Sequence, residues 1–355
     1  MITKVNNSHE IISTYVPSFS HQHIYKELEM LRAATIVMSF IVILFGTIGN
    51  SLVILFFLLK RSKLKSFEMF MISLGLTDLI NSVVVPTHCL LELFNFNFYY
   101  IGNNGCKVLS FLSITCMTVA PLTLTVVSVN RFIAVKWPLK TRFYQNRFIL
   151  LIIVCTWFFA SGLGSVYLID GNICLVSYNI TLKNSTHNNV FKCYTCMEQN
   201  KYIVFVLTMF VMQTGIPLIV MIILYALIVI ELRKNFTLLM TTRNTLKTCL
   251  MKNKKTTKLV ITVVLVFSIC FFPVNIFYLW YMFSHFTPSE KIEISYDILT
   301  MLQMCNSIAN PIIYGRFHTT FRKHVVRLIL PCINHKKIKT KKDKKHCKKF
   351  DKKIT

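Results

Sequence analysis

A few residues of this chain lie in stretches so apolar that their polar groups are costly there. Asp78 stands among Leu74, Leu76, Leu79 and Ile80. An isolated carboxylate in such surroundings must pair with polar neighbours, water or a cation. Asn50, Asn306, Ser307 and Asn310, themselves in apolar stretches, are the partners the sequence offers. Arg131 follows Asn130 and precedes Phe132 at the edge of another such stretch. Its guanidinium has five N–H donors and no acceptor, which suits it to docking onto carbonyl oxygens. No HExxH, GxSxG or paired-carboxylate constellation accompanies these groups, so the chemistry is that of binding and switching rather than of an enzyme.

Prolines and cysteines add a second layer. Pro217, Pro273 and Pro311 each remove a backbone hydrogen bond within an apolar segment and permit a kink, hence a point of rotation. Pro121 is expected to kink its segment as well. Cys106, Cys174, Cys193 and Cys196 fall in or beside polar joints on one side, where an oxidising environment would let disulfides persist. Cys89, Cys116, Cys155, Cys270 and Cys305 fall within apolar segments and read as small packing residues.

The elements that must position these groups follow from hydropathy. The chain is 54% hydrophobic and only 15% charged, with a mean hydropathy of +0.55, too apolar for an ordinary soluble domain. Windows near 33–58, 69–93, 108–130, 148–168, 202–230, 259–283 and 296–315 are long enough to cross a bilayer as helices. The third is half polar, with Ser110, Ser113, Thr115, Thr118, Thr123, Thr125 and Ser128, and is expected to sit among the others rather than against lipid. The expected fold is all-α, an integral membrane bundle of seven transmembrane helices with a short amphipathic eighth. Its parts are an extracellular N-terminus (1–32), the seven-helix region (33–315), an amphipathic membrane-surface helix (316–330) and a disordered Lys-rich cytoplasmic tail (331–355).

Charge sets the orientation. The segments 60–65, 131–147, 233–258 and 316–355 hold 32 of the 40 basic residues, and short basic loops stay in the cytoplasm. The N-terminus is therefore expected outside and the C-terminus inside, in a multi-pass protein of the cell membrane. The net charge of +26 reads as this retention signal and as attraction to anionic lipid head groups, not as a nucleic-acid surface. Glycosylation triplets begin at Asn6, Asn179 and Asn184 on the outer side, and a fourth at Asn235 falls inside. Residues 1–29 show no cleavable signal sequence, so the first apolar segment is expected to direct insertion. Cys332, after the amphipathic stretch, would add a lipid anchor if palmitoylated.

Read in order, the polar and proline residues form a pattern that resembles the rhodopsin-like (class A) G-protein-coupled receptors over nearly the whole chain. It is carried by Gly49-Asn50, then Leu74, Asp78 and Pro86, then Cys106 and Asn130-Arg131-Phe132. Trp157, Pro217, Tyr225 and Cys270-Phe271-Phe272-Pro273 continue it, and Asn306-Ser307-Ile308-Ala309-Asn310-Pro311-Ile312-Ile313-Tyr314 closes it. The last, N-S-x-x-N-P-x-x-Y within an apolar span, is the most specific. The resemblance implies a heterotrimeric G protein as partner, contacted by Arg131 with Val135, Trp137, Pro138, Lys140 and Arg142 nearby. It implies that the inner half of the sixth helix swings outward about Pro273, bringing Tyr225 and Tyr314 toward Arg131. It implies an allosteric Na⁺ at Asp78 with Asn50, Asn306, Ser307 and Asn310, short of one ligand because Ala120 stands where a Ser usually contributes. No other cofactor is implied. Cys106 would be bridged to Cys193 or Cys196, with Cys174 and the leftover cysteine available for a second bridge.

Three positions depart from the family. Asn130 replaces an acidic residue that would hold Arg131 at rest by a charge-assisted bond of about 1.5–3 kcal/mol; raised basal signalling is expected. Phe271 replaces a Trp, and Pro121 an aliphatic residue. Ser113 stands where amine receptors carry a carboxylate and Met304 where light-sensing members carry the retinal Lys, which argues against both ligand types. Pro86 and a long second outer loop resemble the peptide-binding branch, so an extracellular peptide is the expected ligand. Its pocket would be lined by His88, Glu92, Ser113, Met117, Tyr278, Tyr281, Met301 and Met304. A receptor for a small non-amine ligand, a constitutively active receptor and a non-signalling one stay open at this stage. A transporter or channel is disfavoured, since related halves and broken mid-membrane helices are not apparent.

Overall fold

The computed structural model describes residues 21–59, 64–94, 102–137, 146–169, 173–178, 190–195, 199–238, 244–284, 290–318 and 320–326. Six helices are long and apolar enough to span a bilayer among these residues: Glu29–Leu58, Ser66–Leu91, Gly102–Lys136, Arg147–Ile169, Asn200–Lys234 and Lys255–Phe283. Each begins before its hydropathy window, because the first turns continue the helix beyond the apolar stretch. The seventh helix, Glu290–Phe317, is the exception to the hydropathy rule. Asp297, Gln303, Asn306, Ser307 and Asn310 lower its apolarity. It packs against the sixth, second and first helices, and Asn306, Ser307 and Asn310 are buried.

The third helix is the axis. It touches the second, fourth, fifth and sixth helices, and its window is 56% buried against 17% for the fourth and for the fifth. That agrees with its polar composition, since hydroxyls on a lipid-facing helix would waste hydrogen bonds. They are spent instead on the carbonyl one turn back, as in Thr118 to Ile114 and Ser128 to Leu124, both 2.8 Å. The helix runs unbroken through Pro121. At Pro217 the missing N–H is accommodated differently, by a wider π turn at Val211–Gly215 immediately before it.

Small residues set the closest approaches. A Cβ at Gly46 would lie 2.5 Å from the Cβ of Ser82, and one at Gly49 would lie 2.9 Å from Pro311. The first helix can thus reach the second and seventh only because both positions are glycine. Below this level Phe57, Phe70, Met71, Leu74, Leu124, Val127, Met221, Phe267, Phe271 and Tyr314 form one continuous apolar core.

The all-α expectation needs one addition. Between the fourth and fifth helices, β1 (Ile173–Tyr178) and β2 (Val190–Thr195) pair antiparallel, with Cys174 opposite Tyr194 and Leu175 opposite Cys193. After the seventh helix the chain breaks at His318 and resumes as a helix over 320–326. There Phe321 is buried and contacts Phe56 edge-on at 5.3 Å. Asn6, Asn179, Asn184, Cys196, Cys332 and the tail 331–355 lie outside the described residues.

Candidate functional site

Two buried polar sites lie on the faces where the second, third and seventh helices meet. Asp78, 1% exposed, sits midway along the second helix and accepts a 2.5 Å hydrogen bond from Asn310 Nδ2. Asn50 Nδ2 donates to the carbonyls of Gly46 (2.9 Å) and Ser307 (2.8 Å), tying the first helix to the seventh. Pro311 follows Asn310 directly. All five residues of the expected polar core are buried. Asn50 Oδ1 is buried with no hydrogen-bond partner. Ala120, 4% exposed, contributes none.

The second site is at the end of the bundle that carries Arg131 and Lys136. Arg131 is 9% exposed. Its Cζ lies 5.1 Å from the ring centroid of Phe67, at the start of the second helix. Its Nε and the neighbouring Asn130 Nδ2 are both buried without a hydrogen-bond partner. Tyr225 of the fifth helix stands within electrostatic range of the guanidinium and shares a 2.9 Å hydrogen bond with Ser128. The hydroxyl of Tyr314 is buried and unpartnered. Phe132 turns away, edge-on to Trp137 at 6.5 Å, with the Lys136 ammonium over both rings. Phe271 is stacked on Phe267 at 4.8 Å, two residues before Pro273.

The expected ligand pocket at the opposite end is drawn together only in part. Met117 Sδ receives weak contacts from Ser113 Oγ (3.8 Å) and Gln303 Nε2 (3.9 Å), joining the third and seventh helices. Tyr278 shares a hydrogen bond with Tyr202, joining the sixth to the fifth. Met301 is contacted by Thr35 Oγ1 at 3.5 Å. His88 and Tyr281 are half-buried, and the Glu92 side chain lies outside what is described. Met304, only 3% exposed, is a packing residue rather than an open wall. An apolar groove lined by Ser268, Phe272, Pro273, Ile276, Phe277, Trp280 and Leu299 shares no residue with this set.

Cys106 is disulfide-bonded; the side chains of Cys174, Cys193 and Cys196 are not among those described. Cys89, Cys116, Cys155, Cys270 and Cys305 form no disulfide; Cys116 and Cys270 are buried packing residues, whereas Cys155 is exposed. Sequence reasoning missed Gln213, which donates to Thr118 Oγ1 at 2.8 Å and is 4% exposed. A lone amide in the apolar fifth window was the signal that could have found it. Trp157 Nε1, 3.1 Å from Ser73 Oγ, similarly joins the fourth helix to the second. Phe67 and Tyr202 carried no such signal.

None of this geometry turns over a substrate. A bundle whose ends are joined by buried, partly unsatisfied polar groups can instead exist in two arrangements, which is the property of a membrane receptor. The chain belongs to the 7 transmembrane receptor (rhodopsin family), which it matches over residues 49–314. It is thus a receptor and not an enzyme. It is 25% identical over 317 residues to the chemerin-like receptor 1 of Sus scrofa, covering 87% of this chain and 83% of that one. It is 26% identical over 297 residues to the RYamide receptor of Drosophila melanogaster, covering 81% and 61%. To the tachykinin-like peptides receptor 86C of the same fly it is 27% identical over 297 residues, covering 80% and 56%.

Proposed function

We propose that this chain sits in the cell membrane and converts binding of an extracellular peptide into activation of a heterotrimeric G protein by outward movement of the sixth helix. The observation that carries the reading is the covered Arg131. A guanidinium that is 9% exposed, with a buried Nε lacking a partner, gains hydrogen bonds when the bundle opens and a partner's carbonyls arrive. The 32 basic residues of the segments 60–65, 131–147, 233–258 and 316–355 support a cytoplasmic setting for Arg131, with Asn6, Asn179 and Asn184 available for glycosylation outside. Cys332 and the Lys-rich tail would then meet the inner leaflet, the cysteine as a palmitoylation site and the lysines as lipid contacts. The likeness to a tachykinin-like peptides receptor of the fly, and Pro86 with the hairpin between the fourth and fifth helices, support a peptide as ligand.

A sodium ion fits the polar core in part. Asp78 and the unpartnered Asn50 Oδ1, with Ser307 and Asn306, would hold it, and it would offset the buried carboxylate in the closed form. Thermal midpoints of the purified receptor in NaCl and in equimolar choline chloride should differ, and Asp78→Asn should erase the difference.

The receptor reading is tested by expressing the chain in cells lacking related receptors. Cyclic AMP and calcium are recorded without ligand and then with a library of secreted peptides, beside Arg131→Ala. A peptide response lost in Arg131→Ala is expected. A receptor that binds a peptide at the surface but gives no second-messenger response would overturn the G-protein part and leave a non-signalling receptor.

A further inference from the structure

Resting on the G-protein reading above, the position of Arg131 raises a question of its own: what holds this cation in the closed bundle. No Asp or Glu occurs in the third helix, Gly102–Lys136, or anywhere in the sixth, Asn244–Phe283. The residue before Arg131 is Asn130, and its amide nitrogen is unpartnered. Glu68, the acid at the start of the second helix, is buried, and its Oε2 accepts the backbone N–H of Lys65 at 3.0 Å. That bond fastens the first turn of the second helix, as an N-terminal cap does. Fastening the turn also fixes the residue between Ser66 and Glu68, which is Phe67. Its ring lies under the guanidinium, 5.1 Å from Cζ to centroid, within the roughly 6 Å over which a ring face attracts a cation.

We infer that Phe67 is a positioning residue that latches Arg131 in the closed receptor, its aromatic face substituting for the absent carboxylate. The substitution has three physical consequences. A ring face attracts through its quadrupole alone, so it tolerates rotation of the guanidinium and satisfies none of its N–H groups, which agrees with the unpartnered Nε. It needs no proton balance and places no anion in an end of the molecule crowded with lysines and arginines. It is also weaker than a charge-assisted hydrogen bond, so the latch holds the closed form less firmly than an acid at 130 would. Opening therefore requires only that Arg131 slide off the ring as the sixth helix leaves.

The test compares Phe67→Leu, which keeps apolar bulk without a ring, with Phe67→Tyr, which keeps the ring, each normalised to the number of receptors at the cell surface. Basal G-protein activation should rise roughly fivefold in Phe67→Leu and stay at the parent level in Phe67→Tyr. In an Asn130→Asp background, where a carboxylate takes over, Phe67→Leu should change little. Basal output in Phe67→Leu equal to the parent, or an equal rise in Phe67→Tyr, overturns the latch. If Phe67→Leu fails to reach the surface, Phe67→Met is read in its place on the same terms. A second readout is independent of signalling: thermal midpoints of purified parent, Phe67→Leu, Arg131→Ala and the double variant. A loss on Phe67→Leu that shrinks in the Arg131→Ala background marks the contact even if no G protein responds, in which case the receptor reading fails and the latch stands. Additive losses refute the latch whatever the signalling result.

Discussion

Asp78 and Arg131 are two buried charges in one bundle, and they are treated in opposite ways. Asp78 is 1% exposed and receives a 2.5 Å hydrogen bond from Asn310. Asn50 and Ser307 close the adjacent gap between the first and seventh helices. Arg131 is 9% exposed, rests on a ring face, and has its Nε and the adjoining Asn130 amide unpartnered. A buried donor without a partner costs about 1–3 kcal/mol. One charge thus helps to define the closed bundle while the other leaves it with something to gain by opening. A switch needs both, since a fully satisfied molecule would have no second state within a few kcal/mol and a fully unsatisfied one would not fold.

The contrast is broken most severely at Arg131. Replacing it with Ala should reduce G-protein activation by roughly a hundredfold or more, because the docking donors are lost, while the thermal midpoint hardly falls. The two measurements must be made on one preparation. A large loss of stability with a proportionate loss of signal would mean that Arg131 is structural, like Asp78, and the contrast would disappear.

The converse holds at Asn310. Asn310→Leu removes the one side-chain donor to Asp78 among the described residues and should cost about 2–3 kcal/mol, seen as fewer receptors at the surface and a lower thermal midpoint. The double variant Asp78→Leu, Asn310→Leu should recover part of that loss, because no buried charge is then left unpaired. If the double variant is the worse of the two, water or a cation rather than the Asn310 amide supports the carboxylate.

The two sites also differ in how far sequence revealed them. Asp78 and its neighbours were legible because each is a polar residue in an apolar window, a combination that must be explained. Arg131 was legible in the same way, and so was the loss of its acidic neighbour at Asn130. What held Arg131 instead was not. Phe67 is one of 29 phenylalanines, and a ring acting on a cation looks in sequence like a ring filling a core. The seventh helix was legible from its window at 296–315 although Asp297, Gln303 and Asn306 dilute its hydropathy, and its packing against the sixth, second and first helices accounts for those polar residues. At Pro121 the third helix stays continuous, which a kink at a single lost backbone bond allows. The hairpin β1–β2 had no alternating pattern strong enough to notice, and the partner of Cys106 depends on chain geometry that spacing does not encode.

Restoring an acid sharpens the comparison further. Asn130→Asp offers Arg131 a charge-assisted bond of about 1.5–3 kcal/mol gross. Part of it goes to desolvating the new carboxylate, so basal signalling should fall by about tenfold rather than more. Basal second-messenger output per surface receptor measures it directly. Unchanged output would show that Asn130 is too far from the guanidinium to matter, and that the elevated basal activity expected from its presence has another source.

The smallest expected effect separates the latch from its surroundings. Ser128 Oγ donates its single hydrogen to the carbonyl of Leu124 at 2.8 Å, so in the 2.9 Å pair with Tyr225 the phenol must be the donor. Ser128→Ala leaves that phenol with no acceptor in the third helix. Tyr225 then loses a bond of about 0.5–1.5 kcal/mol that ties it to the third helix in the closed bundle, and its side chain is freer to move toward Arg131 as the sixth helix departs. Basal output should rise two- to threefold, and the rise should add to that of Phe67→Leu because the two residues grip different partners. A fall in output would mean that Ser128 supports Tyr225 in the open form, and the unsatisfied end of the bundle would then extend over Arg131 and Asn130 but stop short of the fifth helix.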